Sequence, residues 1–216
     1  MDGIRTASEH QQEEETMKIV LVGAGGTLGQ AVAAELGARH EIVPVGKTRG
    51  DRRVDMADLE AVRRLFAEIG TFDAVVSTAG HVHFGPMDKM GAAEYGVGLA
   101  DKLMGQVNLV LAGRERIADG GSFTLTSGIL TDDPIRFGTS ASMVNGALEA
   151  FARAAAIELP RGLRINVVSP TVLTESLDAY GPYFRGFSPV PAARAALAFA
   201  KSVEGAQTGQ VYRVFG

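Results

Sequence analysis

Gly23, Gly25, Gly26 and Gly29 follow a short apolar run, KIVLV at 18–22, and precede a helical pattern that begins with Thr27 and Leu28. Glycines spaced this way let a backbone turn tightly and approach a pyrophosphate, whose charge then rests on a helix N-terminus. The strand–turn–helix setting separates this reading from a plain tight turn with no ligand. Enzymes that use NAD place an acid about 20 residues further on, to hold the ribose 2′-hydroxyl. Here that region reads Val45, Gly46, Lys47, Thr48, Arg49, with two cations and no acid. Lys47 and Arg49 suit a 2′-phosphate, although two solvated loop cations would read the same way. The expectation is NADP rather than NAD.

Further along stand groups that suit acid–base work. Ser127 closes the predicted strand at 122–127 and can hydrogen-bond a substrate oxygen; the plainer reading is a polar residue ending a strand. Lys102 can stabilise an oxyanion as a charged donor, or lie solvated on a helix. His81 and His83 titrate near neutrality and follow the turn at 77–80. As a metal pair they lack an evident third ligand, so no metal is expected. Tyr180 and Tyr183 can offer a phenol; with Phe184 and Phe187 they more simply pack a lid or a subunit contact.

These residues need a scaffold, and the apolar periodicity supplies one. Strands are predicted at 18–22, 41–45, 72–77, 122–127 and 164–169, with a last one at GQVYRVF. Helical spacing marks the segments after Gly26, at 59–69, from about Ala93 to Arg116, from Ala141 to Leu159, and at 191–203. Strands and helices alternate, which predicts a parallel sheet with helices on both faces, a doubly wound α/β domain. The long connections, 128–138 and 171–190, are the places to expect function or mobility. The 141–159 helix is small and apolar almost all round, which predicts burial on more than one side.

Composition bounds the rest. The chain has 216 residues, a formal charge of −4 and no cysteine. Disulfides, thiolate nucleophiles and cysteine-held metals are therefore excluded, and a reducing, cytoplasmic setting is expected. No basic balance points to nucleic acid. No apolar run reaches the roughly 18 residues of a membrane span. Glycine numbers 27, well above the average share of about 7%. Residues 1–16 are polar, with an acidic run at 13–15, and read as a disordered leader; Met17 is a candidate natural start. Residues 17–216 read as one domain.

From Met17 to Gly216 the chain resembles the short-chain dehydrogenase/reductase family. The resemblance rests on the glycine turn, on Asp55 in VDMAD, on STAG at Ser77–Gly80 including Ala79, and on Ser127 in FTLTSG. It continues through SASMVNGALEAFARAAAIELPRGLRINVVSPT and TGQVYRV. It implies a single Rossmann-type doubly wound parallel sheet binding NAD(P). Asp55 would contact adenine, Ser127 would be the catalytic serine, and Pro170, Thr171, Val172 and Thr174 would flank the nicotinamide. It also implies a homodimer or homotetramer built on the 141–159 helix.

The active site departs from the family pattern. Aligned on Ser140–Ser142, the family's Tyr-x-x-x-Lys pair falls on Thr139 and Met143, and the family's helical Asn falls on Lys102. None of Tyr95, Tyr180, Tyr183 and Tyr212 has a lysine four residues later. A threonine hydroxyl is too weak an acid to replace a phenol tuned by a neighbouring cation. Losing general acid–base help costs about 10²–10⁴ in rate. Two readings follow. One is an NADP(H)-dependent oxidoreductase acting on a small carbonyl or alcohol, with Ser127 and Lys102 in a rearranged site. The other is a non-catalytic NADP(H)-binding sensor or interaction subunit.

Overall fold

The computed structural model describes residues 16–216. The leader expected over 1–16 lies outside the described residues, apart from Thr16. Six strands form one sheet: β1 (Lys18–Val22), β2 (Glu41–Val45), β3 (Phe72–Ser77), β4 (Ile117–Thr126), β5 (Arg164–Pro170) and β6 (Val211–Val214). Their order is β2-β1-β3-β4-β5-β6 and every pairing is parallel. The chain winds outward from β1 to β2, then returns to the other side of β1 to lay down β3. That reversal leaves a crevice beyond the carboxyl ends of β1 and β3, where ligands of open α/β sheets bind.

Strand alternation divides β1 between two layers. Ile19 and Leu21 face a layer holding Val32 and Leu36 of α1 (Thr27–Gly37) with Ala195, Phe199 and Val203 of α7 (Ala192–Glu204). Val20 and Val22 face the opposite layer. There Phe66 of α2 (Leu59–Ile69) packs with Leu109 of α4 (Gly105–Gly113) and Leu148 of α5 (Thr139–Glu158). The Asp58 side chain caps α2 by accepting from the Ala61 amide, and the helix turns Val62, Leu65, Phe66 and Ile69 inward.

Three elements differ from the expected spans. β4 begins at Ile117, five residues early, with its outer part exposed at Asp119 and Gly120. The long helical region is broken into α3 (Ala92–Gly98), a π-helical segment at Leu99–Met104, and α4. The loop at 171–190 is partly helical, holding α6 (Leu177–Tyr180) between two 3₁₀ turns. Within a single chain α5 buries one stripe. Ala141, Val144, Asn145, Leu148, Glu149 and Ala152 form one buried stripe, while Met143 is 42% and Ile157 87% exposed.

Candidate functional site

The glycine turn sits at the carboxyl end of β1. The Gly23 amide donates to the Val45 carbonyl at 2.8 Å, which ties the turn to β2. Gly23 has φ +91°, and a Cβ there would stand 2.8 Å from Thr78 Oγ1 and 2.9 Å from the Ala79 nitrogen. A Cβ on Gly29 would meet the Gly23 carbonyl oxygen at 2.1 Å, so the helix and turn close on each other. Gly25 is different: a Cβ there would meet nothing within 4 Å. It borders a cavity of about 350 Å³ lined by Gly23–Gly26 and by Pro44–Gly50. Backbone atoms are thus bared toward an open space at the start of α1, the arrangement a pyrophosphate needs.

Lys47, Thr48 and Arg49 line that cavity. Lys47 is not free, however. Its Nζ lies 2.9 Å from Asp101 Oδ2 and 3.1 Å from Asp55 Oδ2. Asp101 first, then Asp55, holds the ammonium above its usual range. Burial alone would push the Asp55 carboxyl up, but Lys47 and the Ala57 amide outweigh it and hold it low. The Lys47–Asp101 pair spans the cleft, joining the loop after β2 to the π-helical segment. Beneath it lies a second cavity, about 270 Å³, lined by residues including Val54, Met56, Ala79 and Gly80.

A third cavity of about 370 Å³ lies beyond the ends of β4 and β5. Ser127, Pro170, Thr171, Val172, Gly80 and Lys102 line it, with Phe84, Leu130, Tyr180 and Phe184 among its apolar walls. Thr171 is 4% exposed and its hydroxyl has no partner among the described residues. Lys102 reaches the cavity because the π turn widens the helix there and because Gly80 yields the space. A Cβ on Gly80, at φ +142°, would stand 2.5 Å from Lys102 Cγ. Lys102 Nζ donates to Asn145 Oδ1 at 2.6 Å and to the Ser127 carbonyl at 3.0 Å. No carboxylate pairs with it among the described residues, and burial lowers the ammonium from 10.5 to about 8.

Sequence reasoning missed Asn145 and Glu149. Asn145 lines the cavity, and Glu149 Oε1 accepts from the Ser127 hydroxyl at 3.0 Å. The available signal was two polar residues four apart within the apolar stripe Val144, Leu148, Ala152. The structure also moves the pair expected at Thr139 and Met143. Neither lines the cavity; the residues that α5 turns into it, again four apart, are Ala141 and Asn145. Thr139 is bonded instead to the Tyr95 hydroxyl at 2.8 Å, and Met143 is exposed. A two-residue slip accounts for the difference, since it rotates a position by about 200° around the helix.

The remaining expected residues divide. Asp55 serves Lys47, while Thr27, Leu28, Gly29, Ser77 and Thr174 line none of the three cavities. Ser77 is fully buried and Thr174 is exposed.

Comparison with known proteins places the fold in a lineage. The sequence model of a family described as enoyl-(acyl carrier protein) reductase matches residues 3–214. The chain belongs to the short-chain dehydrogenase/reductase family. This short-chain dehydrogenase/reductase is 50% identical to the protein lin1944 from Listeria innocua, whose crystal structure matches with a TM-score of 0.91, covering 93% of this chain and 100% of that one. A small-chain dehydrogenase solved in complex with NADPH matches in fold at 24% identity and a TM-score of 0.83, covering 93% of this chain and 97% of its own. An uncharacterized oxidoreductase from Methylorubrum extorquens is 29% identical over 116 residues, 53% of this chain. The chain spans about half the length of that curated relative, 47%. Within the family the fold carries a site for NAD(P). Among the described residues, no helix is long and apolar enough to cross a membrane.

Proposed function

We propose that this short-chain dehydrogenase/reductase binds NADP(H) along the three cavities and interconverts a small carbonyl compound and its alcohol, with Lys102 in place of the usual pair. The observation that carries the reading is the Lys102 ammonium, turned into the third cavity with no carboxylate among the described residues to neutralise it. An ammonium has three hydrogens. Asn145 and the Ser127 carbonyl take two, so the third is left for a ligand oxygen.

Four observations support the cofactor part. Gly25 bares backbone toward open space, Thr171 keeps an orphaned hydroxyl at the far end, and Lys47 and Arg49 flank the first cavity. A fold relative holds NADPH in its own structure. Bound here, the dinucleotide would supply hydride. Lys102 holds the substrate oxygen and gives its proton as negative charge grows there, the preorganised donor that such a reaction needs. Ser127 lines the cavity beside Lys102, to which its carbonyl is bonded. The apolar walls hold the body of a small substrate away from water. The transposed residues explain the arrangement. α5 carries an amide at Asn145, and the facing π turn carries the lysine, so the ammonium reaches the cleft from the opposite helix. Assembly as a homodimer or homotetramer over the exposed Met143 and Ile157 face belongs to the same reading.

The test is a titration with NADPH and NADH, followed by a carbonyl panel across pH 6–10. NADPH-selective binding is expected, with carbonyl reduction that fades as pH rises through about 8. Lys102→Met should keep the binding and lose about 10²–10⁴ in kcat. Binding of neither nucleotide would sink the reading. Selective binding with no turnover on any carbonyl would favour a non-catalytic NADP(H)-binding subunit, which the methyl group of Ala141 on the cavity wall also suits.

A further inference from the structure

We propose that Glu149 sets the polarity of Ser127, so that the third cavity selects a ligand with a hydroxyl group, the alcohol partner of the pair named above. The inference rests on that cavity being the substrate site and needs no nucleotide.

A serine hydroxyl has one hydrogen. Ser127 gives it to Glu149 Oε1 at 3.0 Å, on the side away from the cavity. Glu149 is 1% exposed and belongs to the buried stripe of α5. Its charge is not isolated. On its own helix Arg153 Nη1 stands 3.9 Å from Glu149 Oε2. From β6, Arg213 feels the same charge while pairing through two bonds with Asp132 of the loop after β4. Lys102 lies on the far side of Ser127, bonded to its carbonyl. A carboxylate oxygen accepts and does not donate, so Ser127 supplies the hydrogen of this bond.

Ser127 Oγ therefore meets the cavity with lone pairs only. Beside it stands the remaining N–H of Lys102. The cavity wall offers one donor and one acceptor side by side, and an alcohol oxygen carries the matching acceptor and donor. A carbonyl oxygen accepts from Lys102 but leaves Ser127 Oγ without a partner. Leaving a desolvated polar atom unmatched discriminates against the ligand that causes it. Glu149 thus acts through Ser127 and is a positioning residue.

The experiment compares 1-phenylethanol with acetophenone, which share a skeleton and differ at the one oxygenated carbon. Ligand-observed NMR gives their dissociation constants on the full chain without nucleotide. The expected result is an alcohol preference of about tenfold. In Glu149→Gln the carboxamide N–H can donate to Ser127 Oγ, which turns the serine hydrogen into the cavity. The preference should then fall to parity or reverse, while the protein stays folded by circular dichroism. Ser127→Ala should lose the preference without reversing it, and decides the matter alone if Glu149→Gln does not fold. Equal binding, a ketone preference, binding of neither probe, or an alcohol preference unchanged in the variants would overturn the proposal. Binding of neither nucleotide would sink the oxidoreductase reading, whereas an alcohol preference that Glu149→Gln reverses would still stand, because these titrations contain no nucleotide.

Discussion

The two ends of the cleft are held in different ways. At the glycine turn the shape is made by backbone: Gly23, Gly29 and the strand ends touch so closely that no side chain fits between them. At the end beyond β4 and β5 the Lys102 side chain sets the shape, held by the Asn145 side chain and by the Ser127 carbonyl. Backbone packing of the first kind tolerates few alternatives. A side-chain network of the second kind can be rebuilt by exchanging residues between facing helices. The lesson is that a nucleotide site and its chemistry can change independently on one fold.

The sharpest way to break the comparison is at the glycines. Gly23→Ala should lower stability by about 2 kcal/mol or more, because a Cβ there is both strained and blocked. Gly25→Ala should leave the melting temperature unchanged and still weaken NADPH binding at least tenfold, because its Cβ enters ligand space. Thermal unfolding with a binding titration separates the two, and equal melting losses would show that Gly25 is structural.

Next in size is the phase of α5. The variant Lys102→Asn with Ala141→Tyr and Asn145→Lys moves the ammonium back to α5 and adds a phenol facing the cavity. It should reduce carbonyls at least tenfold faster than Lys102→Asn alone. Thr139→Tyr with Met143→Lys, placed on the wrong face, should gain nothing in the same assay. A gain in the second variant instead would reverse the phase read from the cavity.

Lys102 also carries a stability signature. Its folded pKa, about 8, lies below the ordinary 10.5, so between these values the unfolded chain binds more protons and stability rises with pH. Below about pH 8 the cost of holding the buried charge is fully present. Lys102→Met should remove the rise and be no less stable than the parent at pH 7, as urea unfolding at pH 7 and pH 10 would show. A parent with no rise would mean that Lys102 is solvated.

The smallest effect belongs to the strap across the cleft. Asp101→Asn removes one of the two carboxylates on Lys47, and such half-exposed pairs are worth roughly 0–1 kcal/mol. NADPH affinity should rise up to about fivefold at low salt, with NADH unmoved. An equal rise for both would remove Lys47 from 2′-phosphate recognition.

Much of this was legible beforehand, for physical reasons. β1, β2, α2 and β3 stand at the residues that apolar periodicity marks, since burial of one face drives both period and structure. The glycine turn was legible because backbone geometry dictates residue type there. The π segment was not: it forms inside a helical pattern, and only packing against Gly80 and Asn145 shows where Lys102 points. The face of α5 was misplaced because Ser140–Ser142 repeats small residues, which align equally well two positions apart. Glu149 escaped notice because a glutamate in a helix ordinarily marks a solvated surface.

β2 is the outer strand on one side of the sheet, and Pro44 lies within it, paired in register with Leu21. The Val45 carbonyl points inward to Gly23, so the neighbouring Pro44 faces outward, where a ring replaces the hydrogen that another strand would need. The border next to the glycine turn is therefore a poor template for aggregation. Replacing Pro44 by valine would make that border sticky, and crowded chains would then be prone to join edge to edge beside the glycine turn.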